Sequence, residues 1–200
     1  MPADLTDREQ QSTAFLLKVQ NLVPARAERP VARAVDFILY PGDALIITGP
    51  NGSGKTTLIR TLAGLLPPGA GHIHRIGNIA WLGHGNALSS GRTLASEMRF
   101  WCGAVPGPEY PDFSLRPFLA LQVNILSQGQ RRRAALWRLT TSGAGIWLLD
   151  EPAAGLDKAN QADLITALSN HQAHGGIVVL ATHDNLPLEN TQSLHLMQAQ

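Results

Sequence analysis

The clearest indication of the fold is one glycine-rich stretch of sequence, Gly49-Pro50-Asn51-Gly52-Ser53-Gly54-Lys55-Thr56. It follows a short apolar run, residues 44–48, that predicts a buried strand, and it precedes residues 58–63, which have helical character. Glycine, four residues and then Gly-Lys-Thr is the pattern of a phosphate-binding loop, and a strand before it and a helix after it are the context that this loop requires. The sequence therefore predicts an α/β fold that binds a nucleotide.

The loop assigns chemistry to individual side chains. Glycines let backbone N–H groups approach a phosphate closely, and the following helix N-terminus adds positive potential. Lys55 would neutralise the β and γ phosphates, and the Thr56 hydroxyl would ligate Mg²⁺. The candidate nucleotide-binding residues of this segment are Gly49, Pro50, Asn51, Gly52, Ser53, Gly54, Lys55, Thr56 and Thr57.

A second apolar run, residues 146–149, ends in the adjacent carboxylates Asp150 and Glu151. Neighbouring strand residues point to opposite sides, so the two carboxylates can take separate roles. Asp150 would support Mg²⁺ through its water shell, and Glu151 would polarise the water that attacks the γ-phosphate. A further apolar run at residues 177–181 completes the pattern of central parallel strands with functional groups at their carboxyl ends.

Composition limits the classes of protein to consider. The 200 residues carry 16 Lys and Arg against 15 Asp and Glu, a net charge of +1, with 44% hydrophobic residues. This composition excludes disorder as the main state, and the near-zero charge argues against nucleic-acid binding. The single cysteine, Cys102, cannot form an internal disulfide, which fits a reducing compartment. The apolar runs are too short to cross a bilayer, so the sequence predicts a chain that meets a membrane only from outside.

A third motif, Leu126-Ser127-Gln128-Gly129-Gln130, precedes a predicted helix over residues 130–139. Ser127 is a good N-cap, and its hydroxyl, the Gly129 amide and the helix dipole would form an anion site. The motif resembles the signature sequence of ATP-binding cassette (ABC) proteins. That resemblance implies that Ser127 and Gly129 complete the ATP site of a second copy, so that two chains enclose two nucleotides head to tail.

The resemblance implies a whole architecture. It is that of a P-loop NTPase of the ABC-ATPase type, with a mainly parallel core sheet flanked by helices, an N-terminal antiparallel β part and an inserted helical subdomain. We expect one ABC ATPase domain over residues 1–200, with a loose N-terminus at 1–13 and the helical subdomain at about 88–138. We also expect an inter-helix loop at 103–111, which is rich in Gly and Pro.

Two further positions acquire roles only through the resemblance. Asp157, in Gly155-Leu156-Asp157, lies where the family has a dimer-contacting loop, and His183 lies where the family has a histidine that contacts the γ-phosphate. The expected catalytic residues are therefore Lys55, Glu151 and His183. The expected cofactors are ATP and Mg²⁺.

The sequence departs from the general family at two places. His84 stands where the family usually has a glutamine that touches Mg²⁺, so His84 is a candidate metal contact whose shorter imidazole makes that role doubtful. The aromatic residue that stacks on adenine is missing between residues 23 and 31. Arg26 or Arg29 could lie on the base instead, and a solvated arginine is the alternative.

Several segments resemble a narrower family, the ATP-binding subunits of the cytochrome c maturation haem exporter. They are Leu82-Gly83-His84, Ala87-Leu88, Arg99-Phe100-Trp101, Arg131-Arg132-Arg133 and residues 171–176. This resemblance implies a peripheral protein on the cytoplasmic face of the bacterial inner membrane, bound to integral membrane subunits, with a second copy of itself and without nucleic acid. ATP hydrolysis would drive haem export and release of a haem-loaded chaperone. The alternatives are the ATPase of a different ABC exporter and, less favoured, an ABC ATPase without a transport role.

One run of arginines and two pairs of histidines are interpreted without a bound ligand. The run Arg131-Arg132-Arg133 lies on the predicted signature helix, where it would serve a dimer interface or a solvated face. The pairs His72 with His74 and His171 with His174 have spacings compatible with a metal, but no carboxylate or thiol cluster accompanies them. We therefore expect no metal site at either pair.

Overall fold

A computed structural model describes residues 16–103, 111–183 and 186–199. The predicted loose N-terminus at 1–13 lies outside these residues, and so does most of the predicted loop at 103–111. The strands are β1 (Leu17–Val23), β2 (Ala25–Arg26), β3 (Arg29–Pro30), β4 (Val35–Leu39), β5 (Ala44–Thr48), β6 (Ala70–Arg75), β7 (Ile79–Leu82), β8 (Ile146–Asp150), β9 (Ile177–Ala181) and β10 (Thr191–His195). The helices are α1 (Lys55–Leu62), α2 (Leu94–Cys102), α3 (Gln128–Thr140) and α4 (Lys158–Ala173), with a 3₁₀ turn at Arg116–Phe118.

The central sheet is parallel and has the strand order β10-β5-β9-β8-β7. Every residue of β8 and β9 is buried, as expected for apolar strands covered on both faces. Successive side chains alternate between two separate cores: Ile146 and Leu148 pack on one side of the sheet, and Trp147 and Leu149 on the other. The sheet therefore divides the molecule into two sides of different composition.

One side, called here the α1 side, is covered by α1 and by an antiparallel sheet of order β4-β1-β6. In this sheet Val19 pairs with Phe37 on one neighbour and with Ile73 on the other. The α1 side encloses a core of aliphatic residues with one buried aromatic ring, Phe37. Alternation of apolar and polar residues along β1 and β4 produces this arrangement, because one face of each strand meets the core and the other meets solvent.

The other side, called here the α3 side, is covered by α2, α3 and α4. Trp137, on α3, is among the largest fully buried side chains of this side. Buried residues of α3 recur at positions 132, 135, 136 and 139, which is the spacing of one helical face. This face fixes how α3 lies against the end of the sheet that carries the polar residues.

The predicted α/β class, with its parallel core sheet and antiparallel N-terminal part, is confirmed. The helix after the phosphate loop begins at Lys55, three residues before the predicted start. Gly64 has the left-handed conformation (φ 76°) that its place after the helix predicts. Sequence reasoning missed β10, whose residues Thr-Gln-Ser-Leu-His are mostly exposed at the edge of the sheet and lack an apolar run.

Candidate nucleotide site

The carboxyl ends of four neighbouring strands bring the candidate residues to one edge of the central sheet. Ile47 of β5 and Asp150 of β8 both pair with Ala181 of β9, and Leu82 of β7 pairs with Leu149 of β8. The segments that follow these strands are the phosphate loop, Glu151, His183 and His84. In open parallel sheets, ligands bind outside the carboxyl ends of the strands.

The phosphate loop has a backbone that only glycine fits at its first position. Gly49 has φ 142°, and a Cβ there would lie 2.5 Å from the Leu196 carbonyl oxygen. Gly54, with φ 97°, is the N-cap of α1 and provides no side-chain cap. Lys55 turns back over the loop, where its Nζ donates to the carbonyl oxygens of Gly49 at 2.7 Å and Pro50 at 3.2 Å. The Lys55 ammonium is therefore held above the loop backbone.

Ser53 supplies a test of whether the loop suits a phosphate. Its hydroxyl oxygen is buried, and no partner for it exists among the described residues. A buried polar atom without a partner is costly unless a ligand or water supplies one. Beside it lie the N-terminus of α1 and the Lys55 ammonium, both of which attract anions. The donors of the loop therefore fit a phosphate group.

Two histidine–carboxylate pairs stand beyond the loop. His84 Nδ1 lies 3.2 Å from Asp150 Oδ2, with the histidine side chain 68% exposed and the aspartate buried. His183 Nε2 lies 3.6 Å from Glu151 Oε1. Asp150 and Glu151 thus face different histidines, which agrees with the opposite directions of neighbouring strand residues.

Glu151 has an unusual backbone. Its φ is 49°, in the left-handed region that non-glycine residues rarely adopt. Its N–H donates to the Ala181 carbonyl oxygen at 2.8 Å, which ties the turn after β8 to the end of β9. Strained residues of this kind persist only where the surrounding contacts fix them, and they concentrate at functional sites.

A cleft of about 400 Å³ joins the phosphate loop to the strand ends. Its lining includes the two histidines and the two carboxylates described above as well as residues of the loop. The lining residues are Arg26, Val31, Asn51, Gly52, Gly54, Lys55, Thr56, Thr57, His84, Asp150, Glu151 and His183. Ser127, Gly129 and Asp157 are not among them.

The signature motif opens α3 on a different part of the surface. Ser127 Oγ accepts from the Gln130 N–H at 3.2 Å, and the Gln130 side chain accepts from the Ser127 N–H at 2.8 Å, which completes a capping box. A second cleft of about 340 Å³ lies beside it, and Gln128 and Gly129 contribute to its lining together with Asp150 and Glu151. The two clefts therefore share the carboxylates and differ in the motif that faces them.

Comparison with known proteins identifies the family. The family model described as ABC transporter matches residues 32–103. A cytochrome c biogenesis ATP-binding export protein CcmA from Gluconobacter oxydans is 43% identical over 185 residues, which cover 90% of this chain and 87% of that protein. The CcmA of Sphingopyxis alaskensis is 41% identical, with coverage of 90% and 95%. The chain belongs to the CcmA family.

Solved structures agree with this fold. The ATP-binding subunit of an ABC transporter superposes with a TM-score of 0.74 at 24% identity, over 84% of this chain and 80% of that one. A dimeric ATP-binding cassette in a post-hydrolysis state, bound to ADP and Pi, superposes with the same TM-score at 22% identity over 90% and 94%. This CcmA-family chain is accordingly an ABC ATPase that binds and hydrolyses ATP. In the described part of the chain no helix has the length and apolar character of a membrane span.

Asp157 of this CcmA-family chain is engaged within its own chain. It is the N-cap of α4, and its Oδ1 accepts from the backbone N–H of Asn160 at 2.9 Å and from the Asn160 side chain at 2.8 Å. These hydrogen bonds lower the pKa of the Asp157 carboxyl. The immediate structural role of Asp157 is therefore to begin a helix.

For Arg132, the solvated-face alternative for the arginine run is wrong. Its side chain is 5% exposed, and its guanidinium donates to the carbonyl oxygens of Asp150 and Glu151. The sequence held a clue, because Ala135, Leu136 and Leu139 form an apolar stripe that extends back by one turn to position 132. Polar character alone placed Arg132 on the wrong face.

The two histidine pairs behave differently. His72 and His74 are exposed along β6. His171 stacks on Trp147 with ring centroids 3.8 Å apart, and burial lowers the pKa of His171 to about 4. Among the described residues no group of three His, Cys, Asp or Glu side chains could hold a metal ion.

Arg26 is the one of the two candidate base-stacking arginines that lines the larger cleft. It lies in β2, which pairs with β3 in a two-stranded hairpin. Ala27 and Glu28 at the hairpin turn have positive φ values of 47° and 64°. The hairpin thus presents an arginine beside the phosphate loop, at a place where the sequence has no aromatic residue.

Proposed function

We propose that this protein is the ATPase of a haem exporter for cytochrome c maturation, peripheral on the cytoplasmic face of the bacterial inner membrane and bound to integral membrane subunits. The names of its relatives, which specify cytochrome c biogenesis and export, support this proposal. The observation that carries the enzymatic part is the single cleft lined by Lys55, Glu151 and His183. Haem itself is inferred from the pathway, because covalent haem defines c-type cytochromes.

The proposed catalytic roles follow from charge and distance. The Lys55 ammonium neutralises the β and γ phosphates, for which it would exchange its contacts with the loop carbonyls. Glu151 polarises the attacking water, and His183, 3.6 Å from that carboxylate, orients Glu151 and contacts the γ-phosphate. Imidazole suits this place because it can both donate and accept a hydrogen bond.

Mg²⁺ would be held by the Thr56 hydroxyl, by Asp150 through water, and by the phosphates. Both protein groups line the cleft and are hard oxygen donors of the type that Mg²⁺ prefers. When bound, the ion neutralises negative charge on the phosphates. His84 lies against Asp150 at 3.2 Å, so we propose that it adjusts the position of this carboxylate and contributes little to metal affinity.

The second copy of the chain is proposed because the cleft at the phosphate loop lacks the signature residues. Ser127 caps α3 and Gly129 lines the other cleft, so a nucleotide at the loop meets neither within one chain. A head-to-tail pair would bring Ser127 and Gly129 of one copy, with Asp157 near the contact, to the nucleotide of the other. We propose one domain over residues 1–200, in which about 88–138 is the helical subdomain that follows this closure.

The first test is made in the source cell. Lys55→Ala should abolish covalent haem in c-type cytochromes and leave b-type cytochromes at their normal level, because only the former need the export step. Haem-stained gels and reduced difference spectra measure the two classes separately. Normal c-type cytochromes in this variant would assign the ATPase to a different exporter.

The second test concerns the pair. Glu151→Gln keeps the shape of the side chain but removes the base, so ATP should remain bound and hold two copies together. Size-exclusion chromatography with light scattering should show an ATP-dependent dimer, and hydrolysis should fall about 100-fold or more. A variant that stays monomeric with ATP and hydrolyses it normally would refute the roles assigned to Glu151.

A further inference from the structure

Arg132 is a buried cation that donates to four backbone carbonyl groups around the site and, at 3.5 Å, to Asn86 Oδ1. Its Nη2 donates to the carbonyl oxygens of Asp150 at 2.9 Å and Glu151 at 2.7 Å. Its Nη1 donates to the Gly83 carbonyl oxygen at 2.7 Å, and its Nε donates to that of Pro152 at 3.4 Å. One side chain on α3 thus connects two strand ends, those of β7 and β8, to a helix.

This arrangement uses properties that only arginine has. The planar guanidinium carries five N–H donors in a fixed fork, so it can bind several carbonyl groups in one plane. Burial lowers the pKa of Arg132, while the nearby carboxylates of Asp150 and Glu151 raise it. A buried charge is costly to desolvate and adds little net stability, so its value here lies in the geometry that it imposes.

The part of the site most in need of such a constraint is Glu151. Its left-handed backbone, with φ 49°, is unfavourable for a residue with a side chain. The N–H of Glu151 is held by Ala181 and its carbonyl oxygen by Arg132. Release of the carbonyl would let the backbone relax and rotate the carboxylate away from His183.

We infer that Arg132 is a positioning residue for ATP hydrolysis, which fixes the carboxylate of Glu151 by holding the strained backbone of that residue. The inference rests on the proposed role of Glu151. It also links two motifs, because α3 begins with Gln128 and Gly129, which line the same cleft as Glu151. A displacement of the signature turn would therefore reach the Glu151 backbone through the hydrogen bonds of the Arg132 guanidinium.

The experiment uses the full chain with Arg132→Gln, Arg132→Lys and the control Arg60→Gln, which changes an exposed arginine on α1. Single-turnover hydrolysis of labelled ATP gives the rate, and binding of the same nucleotide gives affinity and the concentration of folded sites. Arg132→Gln should slow hydrolysis about 10- to 100-fold and change the Kd for ATP by less than about 3-fold, because misplacement of a reacting group affects the rate more than binding. Arg132→Lys keeps the charge but loses the fork of N–H donors, so its rate should lie between those of the unmodified chain and Arg132→Gln.

The decisive comparison combines Arg132→Gln with Glu151→Gln. If Arg132 acts through Glu151, the double variant hydrolyses ATP at the residual rate of Glu151→Gln alone. If Arg132 affects hydrolysis independently of Glu151, the two losses multiply, and the inference is overturned. It is equally overturned if Arg132→Gln binds ATP normally and keeps its rate.

The single variants distinguish failure of the role proposed for Glu151 from failure of the role inferred for Arg132. A normal rate in Glu151→Gln would refute the role of Glu151, whatever Arg132 does. If Arg132→Gln does not fold, the cycle is run with Arg132→Lys, whose aliphatic stem retains the packing of the arginine. Equal rates in Arg132→Lys and the unmodified chain then count against the inference.

Discussion

The two sides of the central sheet are built on different principles. On the α1 side, Ser53 Oγ and Trp81 Nε1 are the buried side-chain polar atoms without a partner among the described residues. On the α3 side of the described chain, buried atoms without a hydrogen-bond partner are more numerous and include Glu97 Oε2, Trp137 Nε1, Trp147 Nε1 and His171 Nε2. One side is thus a mainly aliphatic core, and the other combines apolar packing with polar contacts, some of them incompletely satisfied.

The difference matches what each side carries. Leu58, Ile59 and Leu62 of α1 are fully buried, so apolar packing is the main anchor of the helix that begins at the phosphate loop. The α3 side carries the signature turn and, through Arg132, the strand ends. Close packing resists displacement in all directions, whereas polar contacts can be exchanged for others. From this difference we expect the phosphate loop to be the more firmly held part of the site and the signature turn the more readily displaced part.

Leu148 and Leu149 provide the largest test, because these neighbours on β8 are both fully buried and point to opposite sides. Leu148→Ala, on the α1 side, should lower the free energy of unfolding by about 4 kcal/mol, and Leu149→Ala by about 3 kcal/mol, since the α3 side can relax around the cavity. Urea unfolding of both variants measures the difference. An equal or larger cost for Leu149→Ala would contradict the comparison.

Glu97 tests the polar network of the α3 side. This fully buried carboxylate accepts from the Ser89 N–H at 3.2 Å and from Trp101 Nε1 at 2.8 Å, and it lies 3.7 Å from Arg92. Glu97→Gln removes the charge while its oxygen can still accept, so it should cost about 2 kcal/mol of unfolding free energy. The exposed Glu189→Gln is the control and should change it by less than about 0.5 kcal/mol. If Glu97→Gln and Glu189→Gln changed the free energy of unfolding equally, the buried charge of Glu97 would not stabilise the fold.

His171 gives the α3 side a dependence on pH. Burial lowers its folded pKa to about 4, below the ordinary value of about 6.5, so between these values the unfolded chain binds the proton and the folded chain does not. The contribution of His171 to stability is therefore fully present above pH 6.5. It is lost as the pH drops towards 4, and the free energy of unfolding then falls by at most about 1.4 kcal/mol per pH unit because of this group. In urea titrations at several pH values, His171→Phe, which can still stack on Trp147, should reduce the slope.

The control for this titration is His72→Gln, which replaces an exposed histidine of β6 on the antiparallel sheet. Its pH slope should equal that of the unmodified chain. A slope that His72→Gln reduces as much as His171→Phe does would assign the pH dependence to histidines in general and remove it from the α3 side.

Ser53 should give the smallest effect on the fold. Because its buried hydroxyl has no hydrogen-bond partner among the described residues, Ser53→Ala removes an unsatisfied polar atom, and the free energy of unfolding without nucleotide should stay the same or rise by at most about 1 kcal/mol. With ATP present, the added stabilisation should be smaller than in the unmodified chain, because a contact to phosphate is lost. The exposed Ser96→Ala is the control. The same ATP stabilisation in Ser53→Ala as in the unmodified chain would show that this hydroxyl does not serve the nucleotide.

Much of this architecture could be predicted from the sequence, because its strongest features are local. The continuous apolar runs of β5, β8 and β9 are typical of central parallel strands, and the glycines and Lys55 of the phosphate loop follow one of them directly. Since parallel strands end at the same edge, the meeting of the loop, Glu151 and His183 follows from these three runs.

What the sequence did not predict depends on contacts between distant residues. Arg132 is polar by type, and only the packing of α3 against the strand ends shows that its guanidinium is buried. The strand β10 has no apolar run of its own and forms because β5 offers it an open edge. Roles that rest on resemblance, such as that of Asp157, are not visible in its contacts, which are those of an ordinary helix cap.

The position of β5 in the sheet also has a consequence for synthesis. Its partners are β9 and β10, and Thr48 at its end meets His195, which lies 147 residues later in the chain. While the ribosome makes the intervening residues, the strand that carries the phosphate loop has neither neighbour. Pairing over such a distance is slow and leaves an apolar strand open to other chains in the meantime. Because the phosphate loop follows a strand that pairs with β9 at Ile177–Ala181, we expect a nascent chain shorter than about 180 residues not to retain ATP.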